Sequence, residues 1–187
     1  EPILAETLRN LYDGVPVEEV YKAAILAART LIEREPDYSH ATARLLLHTI
    51  AAEVLGEAVS LPALAGRYAD YFPTFIRQGV AGELLDERLL QFDLARLGAA
   101  LQPERDLRFD YLGLQTLYDR YFLHLGKRRI ELPQAFFMRV AMGLALNEID
   151  REARAIEFYE VLSSFDFMSS TPTLFNSGTL RSQLSSC

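Results

Sequence analysis

Residues 169–187, SSTPTLFNSGTLRSQLSSC, mark a change in the character of this chain. The residues before them carry many charged side chains and helix-type apolar spacing. This stretch instead holds hydroxyl side chains, the only cysteine, Cys187, and one charged residue, Arg181. Hydroxyl-rich loops offer short hydrogen-bond donors to an anionic ligand, and a cysteine offers a redox-active or nucleophilic sulfur. We therefore expect residues 169–187 to begin an active site whose remaining residues lie outside this sequence.

Helical periodicity runs through most of the chain before this stretch. Apolar residues recur every three or four positions, for example at Val20, Ala24 and Ala28, which is typical of amphipathic helices. The pattern predicts a mainly α domain over residues 1–166 with about seven or eight helices. The predicted helices lie at 3–12, 17–32, 37–55, 60 onward, 86–92, 111–123, 133–147 and 150–162, with a further short helical turn at 94–101. Asp37 or Ser39 is expected to cap the third of these helices, and Asp150 the last.

Four segments are predicted to interrupt or end this helical pattern. Pro73 is expected to bend or break the fourth helix, because proline lacks an amide donor and clashes with the preceding turn. Pro103–Arg108 is predicted to be a polar connector, and Ile130–Leu132 a short strand. The helical period fades near Met168, and Leu184–Cys187 is predicted to begin a buried strand.

The composition excludes several classes of protein. A net charge of −7 argues against a nucleic-acid-binding face, which needs clustered Lys and Arg. No apolar run approaches the roughly 20 residues that span a bilayer, and the N-terminus has no signal-peptide pattern. A single cysteine cannot form an intramolecular disulfide. We therefore expect a soluble protein of the reducing cytoplasm that binds neither nucleic acid nor membrane.

The histidines do not form a recognisable metal-binding pattern. His40 and His48 are eight residues apart, which can place them on similar faces of a helix. Neither an acidic residue nor a cysteine joins them or His124 at zinc-ligand spacing, so we predict no metal site in this chain.

Cys187 has three interpretations from the residues alone. It can be a small buried core residue, in which case the chain is a non-enzymatic helical scaffold or interaction module and the hydroxyls of the loop only satisfy nearby backbone groups. It can be the nucleophile of a cysteine hydrolase, which requires a histidine base that nothing in the sequence places beside it. It can also be a redox-active thiol.

Several motifs, in this order along the chain, resemble the large (α) subunit of ribonucleotide reductase. STPTLFNSGT at 170–179 and QLSSC at 183–187 resemble the sequence that enters the catalytic barrel of that family. Three upstream segments also resemble the family: PDY at 36–38 followed by ARLL at 43–46, YLGLQTLYDRY at 111–121, and LPQAFFMRVAM at 132–142. The resemblance covers essentially the whole chain and is closest to bacterial class I enzymes that reduce diphosphates.

The resemblance implies an all-helical N-terminal domain, residues 1–166, that leads into the first strand of a ten-stranded α/β barrel beginning within residues 167–187. It implies that Cys187 is one of two redox-active cysteines that reduce the ribose 2′ position and become a disulfide, the partner cysteine lying outside this chain. It also implies that Thr171 contacts the substrate diphosphate and that Ser186 contacts the ribose or phosphate. Backbone amides of residues 170–173, except at the proline, are expected to add phosphate contacts.

The resemblance also implies partners and cofactors. The expected enzyme is a heteromeric, allosteric ribonucleoside-diphosphate reductase that makes DNA precursors. Its implied partners are the ribonucleoside diphosphate, the rest of the α subunit, a second α subunit, a radical-generating β subunit, and thioredoxin or glutaredoxin. The radical metallocofactor is expected in the β subunit and nucleotide effectors elsewhere in the α subunit, so no cofactor is expected to bind these residues directly. These 187 residues alone are expected to be inactive, because they contain only one cysteine.

Overall fold

Helices dominate the structure, a computed structural model that describes residues 1–186. The helices are α1 (Pro2–Arg9), α2 (Val17–Leu31), α3 (Tyr38–Leu55), α4 (Leu61–Ala81), α5 (Leu94–Ala99), α6 (Tyr111–Thr116), α7 (Pro133–Ala145), α8 (Arg151–Ser163) and α9 (Thr171–Asn176). Two 3₁₀ helices lie at Glu87–Gln91 and Pro103–Arg108, and α6 continues as a π-helical turn over Leu117–Tyr121. The prediction of a mainly α fold is confirmed.

Aspartate side chains cap the first turn of several helices, among them α8 and α6. Asp150 accepts a hydrogen bond from the Ala153 amide at 3.3 Å, as predicted for the start of α8. Asp110 accepts one from the Gly113 amide at 2.6 Å at the start of α6. A side-chain oxygen at this position satisfies one of the amides that a helix leaves unpaired in its first turn. Asp37 precedes α3 as predicted, but its side chain makes no such bond.

Helix α4 does not break at Pro73, because it continues to Ala81. Tyr68, Phe72 and Phe75 on one side of this helix are fully or almost fully buried. Burial of three large aromatic side chains stabilises the helix by more than the single hydrogen bond that a proline removes.

Two local predictions are wrong. Ile130–Leu132 is not a strand; a two-residue antiparallel hairpin forms just before it, with β1 (His124–Leu125) paired to β2 (Arg128–Arg129). The Pro103–Arg108 connector is a 3₁₀ helix in which Asp106 is buried. In both cases long-range packing decides the conformation, which a short apolar or polar run does not specify.

Helix α7 is the centre of the core. Every residue from Pro133 to Met142 is buried, and α8 packs along α7. A helix that is apolar on all sides must be covered on all sides. Arg139 is the charged exception on this helix, and its side chain is fully buried.

The end of the described chain differs from its prediction. Thr171–Asn176 forms the short helix α9, which the sequence did not predict. Leu184–Ser186 forms no strand, and Ser185 and Ser186 are exposed. Within residues 1–186 these residues have no neighbouring strand to pair with. The division at residue 167 and the barrel itself remain predictions, and Cys187 lies outside the described residues. No helix within residues 1–186 is both long and apolar enough to cross a bilayer.

Candidate active site

Thr171 is the first residue of α9. Ser170 precedes it in an extended conformation, and Pro172 follows in the first turn, where a proline loses no helical hydrogen bond. Thr171 is exposed, so its hydroxyl is accessible to a ligand. The hydroxyls of Ser170 and Thr173 lie 3.1 Å apart, so three hydroxyl side chains cluster at the beginning of this helix.

The segment after α9 folds back onto it. The Thr173 hydroxyl donates to the Leu184 carbonyl at 3.0 Å, and the Asn176 side-chain amide donates to the Gln183 carbonyl at 2.8 Å. Thr171 lies two residues before Thr173, and Ser186 lies two residues after Leu184. The fold therefore brings the two predicted substrate-contact segments together, and both predicted hydroxyls are exposed.

A second set of backbone contacts anchors the turn between α9 and this segment. Leu85 and Thr179 form an isolated antiparallel bridge. The Asp86 amide donates to the Gly178 carbonyl at 3.0 Å, and the Leu180 amide donates to the Leu84 carbonyl at 3.3 Å. Residues 178–180 are thus tied to the chain that follows α4.

A buried ion pair holds the other end of α9. Arg139 Nε donates to Glu131 Oε1 at 2.9 Å, and both side chains are fully buried. The Arg139 guanidinium also donates to the carbonyls of Leu174 at 3.1 Å and Ser177 at 2.8 Å. Carbonyls at the end of a helix lack helical partners and carry partial negative charge. Arg139 satisfies them and fixes α9 to α7.

Close backbone contact also joins α7 to the end of α9. A Cβ atom added at Gly143 would lie 2.1 Å from the Gly178 nitrogen and 2.3 Å from the Ser177 hydroxyl oxygen. Ser177 donates its hydroxyl to the Val140 carbonyl at 2.7 Å. Gly178 has a φ of +76°, a conformation that glycine adopts without strain. The contact therefore requires glycine at position 143, where a side chain has no space, and favours glycine at position 178, where φ is positive.

Tyr121, at the end of the π-helical turn, contacts α9 from the side. Its hydroxyl lies 3.2 Å from Thr171 Oγ1. Its ring stacks on Phe175, with ring centroids 4.4 Å apart and an interplanar angle of 17°. Tyr121 therefore contacts both the first turn and the later part of the same short helix.

An open cavity of about 660 Å³ lies against this cluster, and its lining includes Thr171, Pro172, Asn176, Glu83 and Arg181. Its size is within the range of ligand-binding clefts. Arg181 is the one cationic side chain of this lining and is exposed. The described surface therefore offers hydroxyl, amide and guanidinium donors, the groups that bind an oxyanion.

Another buried polar cluster lies away from the tail and joins four helices. Asp106 accepts hydrogen bonds from the Tyr68 hydroxyl and, at 2.7 Å, from the Gln134 side-chain amide. Tyr159 donates to Gln134 Oε1 at 2.7 Å and accepts from the Gln102 amide at 2.8 Å. Burial raises the pKa of the Asp106 carboxyl to about 7, although both hydrogen bonds oppose this shift. We assign this cluster a structural role, because its polar groups are already paired with one another.

Two of the three histidines contact other residues of the chain. His40 Nδ1 lies 3.0 Å from the Phe109 carbonyl. His48 stacks on Tyr21 at 4.4 Å between ring centroids. His124 is exposed in the hairpin. Among residues 1–186, no group of three or more His, Cys, Asp or Glu side chains is arranged to hold a metal ion.

Sequence reasoning missed three residues that organise this site. Arg139 and Glu131 are charged residues next to an apolar run, and nothing in the sequence pairs them with each other or with α9. Tyr121 lies in the predicted helix at 111–123, where the spacing of its aromatic residues indicates core packing. The roles of all three depend on contacts between segments up to 50 residues apart, which periodicity within one helix cannot reveal.

Residues 107–182 match the family model described as "Ribonucleotide reductase, all-alpha domain". The match begins in the 3₁₀ helix before α6 and includes α7, α8 and α9. It therefore contains Thr171, Tyr121 and the Arg139–Glu131 pair, and it ends before Ser186.

Longer similarity extends to named reductase subunits. The chain is 49% identical over 178 residues to "Ribonucleoside-diphosphate reductase subunit alpha" of Chlamydia trachomatis, covering 95% of this chain and 17% of that protein. It is 40% identical over 177 residues to the subunit of the same name in Helicobacter pylori, covering 94% and 21%. It is 34% identical over 187 residues to "Ribonucleoside-diphosphate reductase large subunit" of Danio rerio, covering 99% and 23%. The chain thus spans about a fifth of the length of these relatives.

Proposed function

We propose, on the premise that this chain belongs to the ribonucleotide reductase large-subunit family, that it forms the N-terminal helical region of a ribonucleoside-diphosphate reductase α subunit. The names of its relatives favour this function over a non-enzymatic helical scaffold. The proposed reaction converts ribonucleoside diphosphates to 2′-deoxyribonucleoside diphosphates for DNA synthesis. We further propose that the chain enters an α/β catalytic barrel through residues 167–187.

The arrangement around α9 is the observation that carries the proposal. The buried Arg139–Glu131 pair fixes the carboxyl-terminal end of α9, and the fold-back at Leu184 directs the chain past the exposed Thr171 hydroxyl. A rigid internal anchor under an exposed cluster of hydroxyls suits a substrate site better than a surface linker, because binding is strongest where donors are held in place before the ligand arrives.

The proposed site binds the diphosphate through several donors. Thr171 and Ser186 offer hydroxyls, Arg181 offers a guanidinium, and the backbone amides of Ser170, Thr171 and Thr173 add neutral donors. A diphosphate carries several negative charges distributed over many oxygens, so it is matched by several short donors together with a cation.

Cys187 is proposed to supply one of the two thiols that reduce the ribose. The 2′ C–O bond breaks and its oxygen leaves as water, while a C–H bond replaces it. The two electrons come from Cys187 and a second cysteine outside these residues, which close to a disulfide. Thioredoxin or glutaredoxin then reduces that disulfide by thiol exchange. A radical from a metal-containing β subunit is proposed to start the reaction.

The family assignment also leads us to propose a cellular compartment and further binding partners. We place it in the cytoplasm, where thioredoxin-type reductants keep thiols available. A second α subunit and nucleotide effectors are expected to bind elsewhere in the complete subunit, and these residues alone are expected to be inactive.

The test is Cys187→Ser in the complete α subunit, assayed for reduction of cytidine 5′-diphosphate with the β subunit and thioredoxin. We expect multiple turnover to be lost, because one thiol cannot form the intramolecular disulfide. Ser182→Ala, at an exposed position of the same segment, is the matched control and should retain activity. Unchanged steady-state turnover in Cys187→Ser would contradict the assignment.

A further inference from the structure

We propose that Tyr121 is a positioning residue that orients the Thr171 hydroxyl toward the diphosphate. This inference rests on the proposed function, because it requires Thr171 to contact the substrate. Tyr121 itself is not expected to contact the diphosphate. Thr171 lines the cavity beside the tail, whereas Tyr121 lines a different cavity behind α9.

Aromatic packing fixes the position of the Tyr121 ring. Besides stacking on Phe175 at 4.4 Å, the ring meets Phe136 edge to face, with centroids 6.4 Å apart. Phe136 is fully buried, so one side of Tyr121 rests on the core and the other on α9. A ring held on two sides places its hydroxyl at one point, 3.2 Å from Thr171 Oγ1.

The backbone under Tyr121 has a special conformation. The Phe122 amide donates to the Leu117 carbonyl at 2.9 Å, a bond across five residues that defines a π turn. Such turns are rare and are frequent at functional sites, because they insert one residue and rotate the side chains that follow. Here the π turn ends on Tyr121.

Hydrogen bonds hold the turn from the side of α3 and the hairpin. Tyr118 donates its hydroxyl to Glu53 at 2.7 Å. Arg129 donates to the Tyr118 carbonyl at 2.7 Å and places its guanidinium 3.7 Å from the Tyr118 ring centroid. The turn is therefore not free to move with the substrate.

Glu131 joins this turn to the anchor of α9. Its Oε2 accepts from the Leu123 amide at 2.7 Å, just after the π turn, and its Oε1 pairs with Arg139. Arg139 in turn holds the last carbonyls of α9. One buried carboxylate thus fixes both Tyr121 and the helix that carries Thr171.

The chemistry of the two hydroxyls gives the pair a direction. A phenol is a better hydrogen-bond donor than an aliphatic alcohol because it is the stronger acid, with a pKa of about 10. When Tyr121 donates to Thr171 Oγ1, the Thr171 hydrogen is free to point at an anion, and successive hydrogen bonds strengthen one another. Tyr121 therefore both orients the donor and makes it stronger.

The experiment uses the complete α subunit with the β subunit, thioredoxin and cytidine 5′-diphosphate. Tyr121→Phe keeps the ring stacking and removes only the hydroxyl. We expect KM to rise about 3- to 10-fold, the effect of one hydrogen bond, with kcat within about twofold of wild type. Tyr21→Phe is the matched control, because it removes a tyrosine hydroxyl that contacts His48 between α2 and α3 and belongs to neither the π turn nor α9. Its KM should stay within about twofold of wild type.

A double-variant comparison separates positioning from general damage to the fold. In a Thr171→Val background, Tyr121→Phe should change KM no further, because the hydroxyl that it orients is absent. In a Thr171→Ser background, which keeps a hydroxyl, Tyr121→Phe should again raise KM. Raised KM in both backgrounds would overturn the inference.

The outcomes distinguish this inference from the proposed function. If Thr171→Val raises KM but Tyr121→Phe leaves it unchanged, the inference is overturned and the proposed substrate contact stands. If Thr171→Val leaves KM unchanged, the proposed contact itself fails and the inference fails with it.

Discussion

Arg139 and Glu131 form an ion pair of 2.9 Å between Nε and Oε1 with both side chains completely shielded from solvent. Removing two charges from water is costly, and a buried pair is stable only when further hydrogen bonds satisfy its remaining atoms. Those bonds are present here. Arg139 donates to the Leu174 and Ser177 carbonyls, and Glu131 accepts from the Leu123 amide. The pair connects α7, α9 and the π turn, and it therefore determines where the candidate site is placed.

We predict that Arg139→Met destabilises the protein by about 3–5 kcal/mol, because it leaves the Glu131 charge buried without a partner. The amides of Leu174 and Ser177, which hold α9 together, should exchange with solvent faster. Hydrogen exchange followed by mass spectrometry measures this directly. Arg154→Met removes an exposed ion pair with Glu157 and should leave the exchange of α9 unchanged. Equal exchange rates in the two variants would contradict the role of the buried pair.

We predict that Gly143→Ala displaces α9, because the added Cβ would lie 2.1 Å from the Gly178 backbone nitrogen, so that α7 or the Gly178 turn must shift. Overpacking of this kind costs about 1–3 kcal/mol or more. Gly66→Ala is the matched control, since Gly66 lies inside α4 with no atom within 4 Å of an added Cβ. That substitution should stabilise the helix by about 0.5–1 kcal/mol. Thermal unfolding of both variants tests the pair of predictions, which fail if the two melting temperatures shift in the same direction.

We predict that Asp106 makes stability depend on pH. Burial raises the pKa of its carboxyl in the folded chain to about 7, whereas an unfolded aspartate has a pKa of about 3.9. Because the folded pKa is the higher one, the contribution of this group to stability is fully present below a pH of about 4 and is lost as the pH rises through about 7.

Asp106→Asn removes this dependence because an amide does not titrate in this range. Urea unfolding between pH 4 and 8 should show wild type losing about 2–4 kcal/mol more stability than the variant. Asp70→Asn, at an exposed position of α4, should follow the wild-type curve. Parallel curves for wild type and Asp106→Asn would show that the carboxyl titrates in the same way in the folded and unfolded chains.

The regular helices were predictable from the sequence because their apolar residues repeat at helical spacing. Helix α2 ends one residue from its predicted end, and Asp150 caps α8 as predicted. The predicted break at Pro73 is wrong, because local propensity takes no account of the aromatic side chains that α4 buries. Helix α9 was missed because hydroxyl residues and a proline have low intrinsic helix propensity, and contacts with Arg139 and Gly143 stabilise it instead.

The chemistry of the site was predictable only in part. The hydroxyl-rich character of residues 169–187 predicts where the site lies, and this location stays a prediction. The structure brings the segments of Thr171 and Ser186 together. Charged residues on a helix usually indicate a solvated face, so the burial of Arg139 and Glu131 was not visible in the pattern. Tyr121 was equally hidden, because a π turn has no known signature in a single sequence.

The role of Cys187 in electron transfer is tested most directly by its chemical state after one round of catalysis. The complete α subunit is fully reduced and separated from thioredoxin and small-molecule reductants. It is mixed with the β subunit and cytidine 5′-diphosphate, and is then alkylated and analysed by mass spectrometry. We predict that Cys187 becomes resistant to alkylation in proportion to the deoxycytidine diphosphate formed, and that it is recovered in a disulfide with a second cysteine of the subunit. Formation of product while Cys187 remains fully open to alkylation would contradict the proposed function.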